Sequence, residues 1–157
     1  MPHNGERAPD FELLNQDGSS VRLSDFHGRK VAIFVFTRVN TMTCNTQACG
    51  FRDEYPRFEA ANAAVLGINT ATPDALREWK VRHKLPYDVL SDPEHVLIEA
   101  WGAWGMSLAH LIKLPAATRS YWVIGENGMV IDGQVGVGPG ESVARALAAI
   151  ERTRVTG

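Results

Sequence analysis

Two cysteines stand five positions apart in the stretch Thr41-Met42-Thr43-Cys44-Asn45-Thr46-Gln47-Ala48-Cys49. They follow directly on an apolar run, Val31-Ala32-Ile33-Phe34-Val35-Phe36. A buried strand that feeds a cysteine into a helix N-terminus suits thiolate chemistry. Unpaired amide N–H groups and the helix dipole there stabilise negative charge and lower a thiol pKa from about 8.5 toward roughly 3.5–7.5. Most cysteines serve instead as small buried hydrophobes. Around Cys44, however, Thr43, Asn45 and Thr46 make no apolar packing stripe, which favours a reactive thiol.

Cys49 supplies a partner for that thiol. Residues five apart on an ideal helix have Cα atoms roughly 8–9 Å apart on separated faces, whereas a disulfide wants less than about 7 Å. If the segment is helical when reduced, a bridge needs local unwinding. The spacing therefore favours a cycle in which Cys44 is oxidised first and Cys49 arrives later, with Gly50 and Pro56 easing the motion. The expectation is that oxidation disorders the chain from Cys44 to about Asp53. Two unrelated cysteines remain the alternative. A Cys-x-x-Cys exchanger would need no such motion, so the spacing counts against general disulfide exchange.

These residues need a frame. At 157 residues the chain has the length of one domain, residues 1–157, with enough chain for a core without staples. A hydrophobic content of 45% and a charged content of 22% are ordinary for a globular protein. The formal net charge of -2 gives no basic field for nucleic acid or an anionic membrane. The segment Met1 to Arg7 has neither the charged nor the apolar region of a signal peptide, and no apolar run reaches the roughly 20 residues that span a bilayer. Two cysteines in that setting suggest a cytoplasmic protein.

Phe11–Leu14 and Val21–Leu23 flank Asn15-Gln16-Asp17-Gly18 and read as an N-terminal hairpin. Lys30–Phe36 reads as a central strand covered on both faces. Thr43–Asn62 reads as helix with a break near Phe51–Tyr55 and a restart near Pro56. Ala64–Asn69 is the next buried strand. Thr72-Pro73-Asp74 then opens a helix to about His83 through an N-cap, a first-turn proline and an acidic first turn. A short strand, Tyr87–Leu90, precedes a helix from Ser91-Asp92-Pro93 through Trp101. Gly102–Thr118 reads as a long loop. Ser120–Ile124 and Met129–Gln134 form a hairpin, and a helix from about Gly140 to Arg152 closes the chain. The order predicts an α/β, thioredoxin-like fold: a mixed central sheet with helices on both faces and an N-terminal β-hairpin.

Other chemistries find little support. His3, His27, His83, His95 and His110 are dispersed without metal-ligand spacing. Gly133–Gly140 lacks the order of a phosphate loop. Trp79, Trp101, Trp104 and Trp122 fall at core-like positions.

The local wording resembles one family closely. Ala8-Pro9-Asp10-Phe11, Leu23-Ser24-Asp25-Phe26-His27-Gly28, Ala48-Cys49-Gly50-Phe51-Arg52-Asp53, Leu90-Ser91-Asp92-Pro93 and Trp101-Gly102-Ala103-Trp104-Gly105 are similar to the peroxiredoxins, nearest the bacterioferritin-comigratory or peroxiredoxin Q type. The likeness runs from about Gly5 to Ile150. It implies a thioredoxin fold and a thiol-dependent peroxidase without cofactor or metal, acting on hydrogen peroxide or an alkyl hydroperoxide and recycled by a thioredoxin-like reductant. The family signature Pro-x-x-x-Thr-x-x-Cys maps onto Thr37 to Cys44, matching at Thr41 and Cys44. The distant family arginine maps onto Arg119, and Cys49 lies where this type often carries its resolving cysteine. By position alone Arg119 reads as a surface salt-bridge residue and Thr41 as a plain N-cap.

Thr37 replaces the first proline, Met42-Thr43 replaces Pro-Gly, and Gln47 stands where a glutamate is common. Losing those prolines leaves the thiolate less shielded. That departure motivates a second reading, a low-turnover peroxide sensor that signals through a protein partner. A monomer or weak homodimer is the expected assembly.

Overall fold

A computed structural model of the chain describes residues 2–36, 46–108 and 112–156. Its centre is the apolar run that precedes the cysteines. β3 (Lys30–Val35) is buried along its whole length and pairs parallel with β4 (Ala63–Asn69) and antiparallel with β8 (Ser120–Ile124). With both edges paired and both faces covered, nothing in this strand needs to be polar. β4 continues parallel to β5 (Asp88–Ser91), and β5 pairs antiparallel with β1 (Glu12–Asn15). β1 forms the expected N-terminal hairpin with β2 (Ser20–Arg22), and β8 forms the late hairpin with β9 (Val130–Val135). Among the described residues the main sheet has seven strands in the order β2-β1-β5-β4-β3-β8-β9.

The alternation of β3 divides the core. Ala32, Phe34 and Phe36 point into one cluster, filled from α1 (Thr46–Asp53), α2 (Tyr55–Ala60), α3 (Pro73–His83) and α5 (Pro139–Thr156) by Phe51, Phe58, Leu76, Trp79 and Leu147. Val31, Ile33 and Val35 point to the other, closed by Leu97, Ile98 and Trp101 in and just after α4 (Val96–Ala100). Helices thus cover both faces of a mixed, thioredoxin-like sheet, as the sequence predicts. The break between α1 and α2 falls at Glu54, with Pro56 in the first turn of α2.

Two expectations need correction. Gly102–Thr118 is not a plain loop: β6 (Trp104–Leu108) and β7 (Ile112–Ala117) pair antiparallel as a separate two-stranded sheet, with a bulge between Trp104 and Met106. Gly105 and Pro115 hide those strands from any propensity count. A proline is tolerated here because a strand with one neighbour leaves the N–H of alternate residues unused. The helix expected from Asp92 begins only at Val96. The Asp92 carboxylate accepts from Val96 N at 3.0 Å and Ile98 N at 2.9 Å, and His95 turns left-handed (φ 49°) ahead of it. One acidic side chain therefore caps the helix from four residues away.

Candidate active site

The chain leaves β3 at a fixed point. Phe36 N donates to Ile68 O, and the buried Asn69 donates from Nδ2 to Phe36 O at 2.7 Å. Asn69 Oδ1 in turn accepts from Ala71 N, while Ser91 Oγ donates to Ala71 O. The C-terminal ends of β3, β4 and β5 are thus tied together where the cysteine segment begins. Cys44 and Thr41, with Thr37, Met42 and Thr43, lie outside the described residues.

Cys49 sits in the middle of α1, is 8% exposed, and is disulfide-bonded. The sequence holds one other cysteine, Cys44. Helix persists from Thr46 through Asp53 with Cys49 in its disulfide. This corrects the expectation that oxidation disorders the segment to Asp53: from Thr46 onward the chain is helical with the bond in place. The anchoring of α1 gives the reason. Gln47 is fully buried and donates from Nε2 to Ser120 O at 3.3 Å. Phe51 stacks on Phe34 with ring centroids 4.5 Å apart, and the Tyr87 hydroxyl donates to Ala48 O.

Gly50 has a different task from the one its helix propensity suggests. A Cβ built there would lie 2.8 Å from Val143 Cγ2 on α5. Valine is stiff at χ1 and cannot swing aside, so glycine lets α1 and α5 approach. Gly50→Ala gains up to about 1 kcal/mol of helix propensity but forces the helices apart, at roughly 1–3 kcal/mol. The expected result is a lower urea midpoint for Gly50→Ala; a midpoint above that of the unmodified protein would show that α5 yields freely.

Arg119 stands between β7 and β8. Because β8 pairs with β3 through Val35↔Ser120, Arg119 lies at the sheet end where β3 hands over to the cysteine segment. Its backbone is locked, since the Arg119 carbonyl accepts from Gly136 N at 3.0 Å and Val137 N at 3.1 Å. Its Nε is buried and has no hydrogen-bond partner among the described residues. The surface ion pair that its sequence position suggests is likewise missing among them. A buried N–H left without an acceptor is costly unless a further partner meets it.

The structure thus ties α1, the helix that carries Cys49, to the strand following Arg119 through Gln47. Gln47 is the link that sequence reasoning passed over, noted only as a lost charge; its amide joins α1 to the strand that follows Arg119. Tyr87 and Asn69 carried no local signal at all. Among the described residues no group of His, Cys, Asp and Glu could hold a metal ion, and no helix is long and apolar enough to cross a membrane.

Comparison with known proteins agrees with this fold. Residues 4–132 match the AhpC/TSA family. Peroxiredoxin Bcp of Bacillus subtilis is 32% identical over 143 residues, covering 91% of each chain. Peroxiredoxin bcp1 of Schizosaccharomyces pombe is 35% identical over 148 residues, covering 93% of this chain and 73% of its own. The crystal structure of peroxidoxin BcpB from Mycobacterium tuberculosis superposes with a TM-score of 0.84 at 25% identity, over 97% of this chain and 98% of that one. A thioredoxin-like sheet with a disulfide-bonded cysteine in its first core helix, matched along most of its length, places this chain in the AhpC/TSA family as a peroxiredoxin of the bacterioferritin-comigratory type, a thiol peroxidase.

Proposed function

We propose that the protein reduces hydrogen peroxide and organic hydroperoxides at Cys44 and resolves the product with Cys49. The observation that carries this reading is the disulfide at Cys49, in a helix that Gln47 ties to the strand following Arg119. The Cys44 thiolate attacks one peroxide oxygen in line with the O–O bond. An S–O bond forms, the O–O bond breaks, and the leaving oxygen takes a proton to become water or an alcohol. Cys44 is thereby oxidised to a sulfenic acid. The Arg119 guanidinium supports the thiolate and the charge developing on the leaving oxygen. The Thr41 hydroxyl accepts from the peroxide OH and orients it.

The Cys49 thiolate then attacks the sulfenic sulfur. The S–S bond forms as S–O breaks, and hydroxide leaves with a proton as water. A thioredoxin-like dithiol reverses the disulfide by exchange and is itself oxidised. One domain, residues 1–157, carries the whole cycle in a reducing cytoplasm.

The direct test is stoichiometric. One equivalent of hydrogen peroxide should remove two hydrogens from the reduced protein by mass, with Cys44 and Cys49 in one linked peptide. A purely intermolecular dimer, or no change in mass, would sink the intramolecular cycle. Steady-state turnover coupled to thioredoxin separates the peroxidase from the sensor: fast first oxidation with poor turnover favours the sensor.

A further inference from the structure

The carbonyl of Ala48 belongs to the peptide plane that carries the amide nitrogen of Cys49, and that plane is gripped from outside the helix. The Tyr87 hydroxyl donates to Ala48 O at 2.6 Å. A helical carbonyl keeps a second lone pair for such a donor. Tyr87 is itself held on several sides. It is buried, its ring meets Phe34 edge-on at 5.6 Å and 84°, and its carbonyl accepts from Lys80 Nζ of α3 at 2.8 Å. Phe34 in turn stacks on Phe51, three residues beyond Ala48. One turn beyond Ala48, Arg52 Nη1 donates to His83 O at 2.9 Å, a second tie between α1 and the end of α3.

A phenylalanine would fill the same space without burying a hydroxyl that demands a partner. The phenol adds a tie, not volume. Burial also raises the Tyr87 pKa well above its ordinary value, so the hydroxyl remains a donor throughout neutral pH.

We propose that Tyr87 is a positioning residue for Cys49, holding the peptide plane next to it so that the thiol meets the sulfenic acid in one geometry. This rests on the reading of Cys49 as the resolving thiol. An intramolecular attack is fast in proportion to how well the attacking group is held. Loosening the plane therefore slows the second step of the cycle and leaves the first untouched.

The test is single-turnover kinetics of the full chain and its Tyr87→Phe variant with hydrogen peroxide. Oxidation of Cys44 is read by peroxide consumption, and disulfide formation by loss of dimedone-reactive sulfenic acid. The variant should oxidise at the unmodified rate but form the disulfide about tenfold more slowly, the scale of one well-placed hydrogen bond. It should accumulate more Cys44 sulfinic acid at excess peroxide, because the sulfenic acid waits longer. A merely structural hydroxyl would lower the melting temperature and leave that partition unchanged. If the unmodified protein forms the disulfide and Tyr87→Phe matches its rate and partition, the proposal is overturned while the function stands. If the unmodified protein forms no Cys44–Cys49 disulfide, both fall.

Discussion

Cys44→Ser is expected to lose peroxide consumption by a factor on the order of 10⁴–10⁶, the scale seen when an enzyme loses its nucleophile. A hydroxyl is a far poorer nucleophile than a thiolate near neutral pH, and no neighbouring base is assigned to activate a serine here. Cys49→Ser provides the contrast. It should keep one full turnover and then stop, holding a sulfenic acid that dimedone labels, because its thiol is needed only for the second bond. Peroxide consumption in single turnover measures both. A Cys49 variant dead in the first turnover, beside a working Cys44 variant, would reverse the two roles. Cys49 lies in α1 among a packed core, and Ser is close to isosteric with Cys, so the Cys49 variant should fold.

Arg119→Met should slow the peroxide step by about 10²–10³, the usual loss when one preorganised charge-stabilising donor is removed. Methionine keeps much of the length and apolar stem of arginine while deleting the cation. The same change should move the pH profile of Cys44 alkylation upward, since a nearby positive charge favours the thiolate. The buried Nε, without a partner among the described residues, is the structural reason to expect so large an effect. A surface residue spending its charge on solvent would show none of it. Superimposable alkylation curves with unchanged peroxide kinetics would return Arg119 to that role.

The strands and helices that position these groups were largely legible. From Val31 on β3 is an unbroken apolar run, and α3 spans Pro73–His83 where Thr72-Pro73-Asp74 announces it. In that helix Thr72 Oγ1 accepts from Ala75 N at 3.4 Å, and the reading needed only residues within one turn of one another. Where the deciding partner lies elsewhere, sequence reasoning missed. β6 and β7 exist because each completes the other's hydrogen bonds, not because Gly105 or Pro115 favours a strand. α4 starts late because Asp92 reaches forward to its amides.

The site divides along the same line. The family was written in residue types and their order, and the two thiols stood out there as candidates, whereas Arg119 came only from the resemblance. The sequence by itself also determined the passage from β4 into α3, because capping and backbone stiffness act over a few residues. Only the tertiary structure decided how Cys49 is held. Gln47 reaches Ser120 across 73 positions, Tyr87 reaches Ala48 across 39, and Val143 of α5 requires Gly50. Such contacts depend on how sheet and helices stack in space, and a close approach between distant segments leaves no local pattern from which to read it.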